Sequence, residues 1–391
     1  MFWEYAIMTN EKTATQEPTV FSGVPQYENF ARVQYTSPVT ILSPSEQPFE
    51  FPDGVRMALP TTYEFEGDVR NVHALLGATH TSALLVLKEG TVRFEEYWLT
   101  GGRYVQWISM SVAKSFVSAL VGIAVAEGSI RSLEDTIDQY VQGLAGSAYE
   151  GVRIKDVLQM SSGVRFNEDY SDHDSEIYRL SAAAGPGGSV DAFMVTLQRE
   201  SEPGTRCVYS SADTQALGML VADATGRSLT DYMQEKLYSP LGMESRGHWL
   251  TDSVGRELAY VGLLMTARDF AKLGELYRNG GAWQGRQIVP SEYVEDSIRA
   301  DADHLKPGGP IVGDHAFGPG YGYQWWLPEG NQGAFSAIGV YNQYIYVDPA
   351  RDTVIVKLSA NPAYGTTTRE SDNKDLENIA VLQAISRHID R

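Results

Sequence analysis

Two stretches of alternating apolar residues stand near opposite ends of the chain, and they restrict its folding more than any other feature. SALLVLKEGTVRFEEYW, residues 82–98, alternates around Lys88-Glu89-Gly90. YNQYIYVDPARDTVIVKLSA, residues 341–360, alternates around Asp348-Pro349-Ala350-Arg351. Period-two patterning interrupted by turn residues predicts a β-hairpin in each case. The chain between them reads mainly as helix. QWISMSVAKSFVSAL (106–120), DTQALGMLVADATG, SLTDYMQEKLYSPLG and TARDFAKLGELYRNGG carry helical spacing, and SLEDTIDQYV and VRIKDVLQMSSG read as short helices. A terminal helix follows the second hairpin, with Leu376, Ile379, Leu382, Ile385 and Ile389 on one face.

Strands near both ends and helices between them predict an α/β (α+β) protein. Its sheet domain would draw on residues 61–155 and 255–391, around an inserted, mostly helical domain at 156–254. Residues 1–60 are rich in Pro, Thr, Ser and Glu and read as an extended wrapping segment. Residues 167–184 are polar and acidic and read as a long loop.

Composition narrows the function. Hydrophobic residues make up 43% and charged residues 21%, ordinary values for a globular chain. The most apolar stretch, residues 116–126, is too short to span a bilayer, so no membrane partner is expected. The opening MFWEYAIMTNEK has Glu4 among its apolar residues and no basic flank, so it does not read as a secretory signal, and a cytoplasmic location is expected. The net charge of −19 disfavours nucleic acid. Cys207 is the single cysteine and reads as a small packed residue. The seven histidines show no ligand-like pair spacing, and no glycine-rich phosphate loop follows a strand, so neither metal nor cofactor is expected.

One helix raises a chemical question. Ser111 and Lys114 lie three residues apart near the start of an apolar helix and so share a face. Serine needs a base to act as a nucleophile. A lysine in a dry site can lose its proton and serve as that base. The free N–H groups of a helix start can hold a developing oxyanion. The bland reading is a lysine that snorkels to water. Downstream, VYSSADTQALGML places Tyr209 and Ser211 just before a helix, and FSAIGVYNQYIYVDP ends a strand at Gly339, followed by Val340. A glycine there permits close approach of another backbone or a ligand. Ser371-Asp372-Asn373 spells a known catalytic triplet but falls after these elements, where a helix cap is the better reading.

MSVAKS, FNEDY, YSSADT, TARDFAKLG, YGYQWW and AIGVYNQYIYVDP…VIVKLS together resemble the serine β-lactamase and penicillin-binding-protein superfamily, from about residue 80 onward. The class C β-lactamase-like branch fits best, nearest its 6-aminohexanoate-dimer (nylon-oligomer) hydrolases. The resemblance implies an antiparallel sheet flanked by helices. It implies Ser111 as nucleophile, Lys114 as its base partner and Tyr209 as proton relay to the leaving group. The N–H groups of Ser111 and Val340 would form the oxyanion hole. Tyr170, Ser211, Tyr260, Trp325, Gly339 and Tyr341 would contact substrate, with Tyr170 on a loop that closes over it. Three departures stand out: Ser181 falls where an acidic loop residue would receive a substrate ammonium, Tyr260 and Tyr341 replace smaller or different polar side chains, and the usual Lys-Thr/Ser-Gly is absent.

The expected function is a serine hydrolase acting through an acyl-enzyme on small linear amides, aminohexanoate-oligomer-like, or short-chain carboxyl esters. A small-molecule substrate is the expected partner, and a homodimer is compatible with the resemblance. A β-lactamase or D-alanyl peptidase is the nearest alternative. The opening residues and the missing lysine count against both. A non-catalytic ligand-binding protein on the same fold is the alternative of another class, but it would not need Ser111, Lys114 and Tyr209 together.

Overall fold

The computed structural model describes residues 26–330 and 333–389. Residues 1–25 of the expected wrapping segment lie outside the described residues. The central sheet has seven strands: β1 (Thr81–Lys88), β2 (Thr91–Tyr97), β3 (Gly320–Tyr321), β4 (Trp326–Leu327), β5 (Phe335–Gly339), β6 (Gln343–Asp348) and β7 (Thr353–Ser359). Their order is β3-β4-β5-β6-β7-β1-β2, and every neighbouring pair is antiparallel. The two hairpins meet side by side, with Val356 of β7 opposite Leu85 of β1.

Both faces of this sheet are buried. Leu84, Val86, Tyr344, Tyr346 and Ile355 join one apolar cluster, while Leu85, Leu87, Ile345, Val347, Val354 and Val356 join another. That double burial explains why ALLVL and VIVKL are nearly unbroken apolar runs. The long helices are α1 (Ala113–Ala126), α2 (Ser211–Thr225), α3 (Ala267–Arg278) and α4 (Asp375–His388). Helix α3 covers the second face so closely that a Cβ at Gly274 would lie 2.6 Å from Val354 and 2.8 Å from Ile345. Helix α4 supplies Ile379, Leu382 and Ile385 to the first cluster. Each such side chain contributes roughly 1.5–3 kcal/mol when fully buried.

Helices α1 and α2 are enclosed and pack on each other. Residues 113–124 and 211–222 are buried on every side. A helix apolar all round belongs inside a protein, and α1 fits that description apart from Lys114, Ser115 and Ser118. Helix α2 starts where the Ser210 side chain accepts the Asp213 N–H, and stops at Gly226 in the left-handed region (φ 67°). A smaller sheet has the order Val39–Leu42, Gly247–Leu250, Leu263–Met265, Trp107–Ile108. Its last strand delivers the chain to Ser111. The backbone of residues 52–57 bonds Val92 and Arg93 and so covers the outer edge of β2.

Three local expectations change. QWISMSVAKSFVSAL is α-helical only from Ala113, because Trp107–Ile108 pairs as a strand and Met110–Val112 is a 3-10 turn. SLEDTIDQYV forms only a single 3-10 turn, Ile137–Gln139, because the Asp135 carbonyl accepts from Ile154 N and the Ile137 N–H binds the Val152 carbonyl. The acidic stretch 167–184 is not loop throughout: Glu176–Ala183 is a helix. Only Ile177 and Leu180 of it are buried, too few apolar positions to mark a helical period. No helix among the described residues is long and apolar enough to cross a membrane.

Candidate active site

The turn that carries Ser111 is tight. Met110–Val112 forms one 3-10 turn leading into α1, and Met110 holds φ at +46°. A methionine in the left-handed region is strained, and surrounding packing must hold it there. Ser109 supplies part of that hold: its N–H binds the Leu263 carbonyl and its hydroxyl the Val261 carbonyl. Ser111 itself is 6% exposed.

Lys114 lies one turn on and does not snorkel. It is 1% exposed, and its Nζ donates to Ser111 Oγ at 2.8 Å, Ser211 Oγ at 3.0 Å and the Tyr260 carbonyl at 3.1 Å. These three acceptors satisfy the amine while keeping water away. Burial pushes its pKa down to about 8, and the Glu168 carboxylate opposes that shift. Lys114 therefore gives up its proton more readily than an ordinary lysine. Because only the neutral amine can take a proton from Ser111, kcat/KM for an ester should rise with pH and level off above about 8. A pH–rate profile checks this; a limb near the ordinary lysine value would place the base elsewhere.

Tyr209 reaches the same spot from the start of α2. Its N–H binds the Ile311 carbonyl. Its ring stacks on Trp326 at 5.1 Å, and the Lys114 amine lies 5.0 Å from the ring centre. Burial, and then the nearby Glu168 charge, push the phenol well above its ordinary pKa, so it stays protonated. A Ser111 side-chain hydrogen bond acts in the opposite direction.

Gly339 ends β5 against the Ser111 turn. A Cβ there would stand 2.9 Å from the Ser109 carbonyl, 3.0 Å from Ser111 N and 3.1 Å from Met110 Cβ. Only glycine fits without moving the Ser111 turn. Gly339→Ala should therefore lower kcat for an ester at least ten-fold and destabilise by about 1–3 kcal/mol, the usual range for overpacking. Kinetics and thermal melting of the variant test both.

A cavity of about 180 Å³ opens over these groups. Ser111, Glu168, Tyr170, Tyr209, Trp326 and Val340 line it. The roof comes from three segments: the 167–175 loop, a small hairpin made by Ile311–Val312 and His315–Ala316, and residues 364–376. Tyr170 is held in the roof, where its hydroxyl donates to Glu168 Oε1 at 2.7 Å and its carbonyl accepts from Tyr178.

Sequence reasoning and structure diverge at three aromatic residues. Trp325 is fully buried against Tyr277 and Phe335 and does not line this cavity; its neighbour Trp326 does. Trp325 directly precedes the strand that begins at Trp326, and neighbouring side chains on extended backbone point to opposite faces, so a shift of one residue changes the face. Tyr341 packs on Phe30 and Tyr364 behind the cavity wall. Tyr260 gives its carbonyl to Lys114, while its side chain lines a separate cavity of about 350 Å³ that also includes Ser181. Ser371 is exposed on a short helical turn, Glu370–Asn373, whereas Asn373 lines the Ser111 cavity.

Two contributors escaped the sequence reading. Tyr364 comes from a loop with no motif. Glu168 sits inside the quoted FNEDY, but it is one carboxylate in an acidic run, and nothing in the run singles it out. Among the described residues no cluster of three or more His, Cys, Asp or Glu side chains could hold a metal ion.

Comparison with known proteins found relatives over most of the chain. The family model described as Beta-lactamase matches residues 70–379. The 6-aminohexanoate-dimer hydrolase of Paenarthrobacter ureafaciens is 32% identical over 295 residues, spanning 73% of this chain and 74% of that protein. A solved structure from Bacillus anthracis, provisionally described as a 6-aminohexanoate-dimer hydrolase, superposes with a TM-score of 0.84 at 24% identity, covering 98% of this chain and 99% of that one. EstCE1, described as a hydrolase with promiscuous acyltransferase activity, gives a TM-score of 0.63 at 16% identity, over 80% of this chain and 96% of its own.

Proposed function

Because this chain belongs to the β-lactamase family and is a serine hydrolase, we propose that it cleaves small linear amides and short-chain carboxyl esters through an acyl-enzyme on Ser111. The observation that carries this reading is the 2.8 Å hydrogen bond from Lys114 Nζ to Ser111 Oγ in a site with almost no solvent access. Acylation begins when the neutral Lys114 amine takes the Ser111 proton and Oγ bonds to the substrate carbonyl carbon. The carbonyl oxygen becomes an oxyanion, held by the N–H groups of Ser111 and Val340. The C–N or C–O bond then breaks as Tyr209 hands its phenolic proton to the leaving nitrogen or oxygen. The lysinium proton returns to Tyr209. Water attacks the acyl-enzyme by the same route in reverse and frees the acid.

The strand that would carry Lys-Thr-Gly in a β-lactam-binding enzyme reads Ala337-Ile338-Gly339 here, so a β-lactam carboxylate lacks that lysine. The relative's name, 6-aminohexanoate-dimer hydrolase, suggests a linear amide with charged ends. The test is a panel of p-nitrophenyl esters, linear 6-aminohexanoate dimer and nitrocefin. Turnover of esters and dimer with none of nitrocefin is expected. Nitrocefin as the sole substrate would overturn the reading.

A further inference from the structure

Among the described residues, Glu168 is the one carboxylate hydrogen-bonded into the Ser111–Lys114 cluster, and the proposed mechanism gives it no task. It is 1% exposed. Its Oε2 accepts the Ser211 N–H at 2.7 Å, and its Oε1 accepts the Ser211 hydroxyl at 2.8 Å and the Tyr170 hydroxyl at 2.7 Å. Ser211 Oγ in turn accepts from Lys114 Nζ. An unbroken chain of hydrogen bonds therefore runs from Tyr170 in the roof, through Glu168 and Ser211, to the base and the nucleophile.

Resting on the acyl-enzyme reading, we infer that Glu168 is a positioning residue that supplies the counter-charge to the lysinium ion formed at Lys114 during acylation, and that Tyr170 is wired to the base through it. The electrostatics follow from the atoms. Ser111 Oγ–H gives its proton to Lys114 Nζ as Oγ bonds to carbon, so a positive charge appears in a dry cluster. Without an anion nearby that charge would be costly. Glu168 provides the anion across one bridging hydroxyl, much as a buried aspartate steadies the imidazolium of a serine–histidine pair.

The groups facing Lys114 are few. They are Ser111 in the turn before its helix, Ser211 at the start of α2, the carbonyl and ring of Tyr260, the ring of Tyr209, and Glu168 from the 167–175 loop. Glu168 is the single charged one among them. Glu168 is itself faced by Ser211, Tyr170 and Lys114, and its charge is also felt at Asp213, Tyr209, Tyr260 and Tyr321. Its own burial raises its pKa, while Lys114, Tyr170 and Ser211 draw it back toward the carboxylate. Glu168 in turn raises the proton affinity of Lys114 against the larger effect of burial.

The consequence has a definite sign. Removing the carboxylate charge lowers the Lys114 pKa, so the base becomes neutral at lower pH. It also leaves the lysinium without a partner, so the plateau rate falls. Wild type, Glu168→Gln and Glu168→Asp, each with unchanged far-UV circular dichroism and melting, are compared from pH 5.5 to 10. Two rates are followed: modification of Ser111 by a p-nitrophenyl alkylphosphonate, read by mass, and kcat/KM for p-nitrophenyl acetate. Glu168→Gln should move the acidic limb below about 8 and reduce the plateau roughly ten-fold or more, on the scale of a lost electrostatic partner. Glu168→Asp should return the limb to its wild-type place. Tyr170→Phe, which keeps Glu168 but removes the hydrogen bond that favours its carboxylate form, should move the limb by less than Glu168→Gln, and it serves if Glu168→Gln does not fold.

An unchanged limb in both Glu168→Gln and Tyr170→Phe would overturn the inference, even with a lower plateau, because a purely structural role lowers rate without moving proton affinity. The phosphonate keeps the two readings apart. If wild type modifies Ser111 yet hydrolyses no ester or amide, the proposed function fails, and the limb of the modification rate still decides the role of Glu168.

Discussion

Ser111→Ala should lose ester and amide turnover by about 10⁴-fold or more while melting close to wild type. Losses of that size are typical when the nucleophile of a covalent mechanism is removed. The fold has little reason to change. Ser111 Oγ is the acceptor of one Lys114 hydrogen bond, and the amine keeps Ser211 Oγ and the Tyr260 carbonyl. A phosphonate should label wild type once, on Ser111, and leave the variant unlabelled. Label on another serine, or full turnover by the variant, would remove Ser111 from the mechanism.

Lys114 and Tyr209 should separate by substrate. In the proposed mechanism Lys114 activates the serine before either bond type is cleaved, so in Lys114→Ala esters and amides should both fall by roughly 10³-fold or more. Tyr209→Phe removes only the phenolic proton. An amine leaves poorly without a proton, whereas p-nitrophenolate leaves without one. Amide hydrolysis should therefore suffer about 10²-fold more than p-nitrophenyl ester hydrolysis, the scale of general acid catalysis. The ring of Phe keeps the stack on Trp326 and the contact with the lysine amine, so packing is preserved. Equal losses on both substrates would make Tyr209 a packing residue. Near-normal ester turnover in Lys114→Ala would require a different base.

Much of this site could be read from the sequence because its parts are local. Ser111 and Lys114 meet through helical spacing alone, and Tyr209 and Ser211 mark a helix start. Gly339 could be read because a glycine at a strand end has few structural reasons. The unread parts depend on tertiary packing. Choosing Trp326 over Trp325 requires the register of a two-residue strand, Trp326–Leu327, which carries no alternation of its own. Tyr260 and Tyr341 were placed by resemblance at the pocket, but burial behind Lys114 and against Phe30 turns them away from the Ser111 cavity. Glu168 could not be distinguished from Asp169, Asp172 or Asp174 until the chain brought Ser211 within 2.7 Å of it. The hairpins were legible, and so was the terminal helix, because each has a period. The helix Glu176–Ala183 was not, because only two of its residues face the core.

The junction of β1 with β7 sets when the enzyme can begin to work during synthesis. Ser111 and helix α1, which carries Lys114, leave the ribosome early. The strand that bears Gly339 and the partner that closes the β1 edge come only after the whole middle of the chain has been made. Until then β1 presents an unpaired row of backbone groups and the apolar side chains Leu84–Leu87. Such an edge is a template for pairing with other chains. Ser111 is thus present on the nascent polypeptide long before its site is complete, and the interval is one of aggregation risk. Synthesis stalled before residue 353 should yield insoluble, unreactive chains, and solubility and phosphonate labelling should appear together once β7 has emerged.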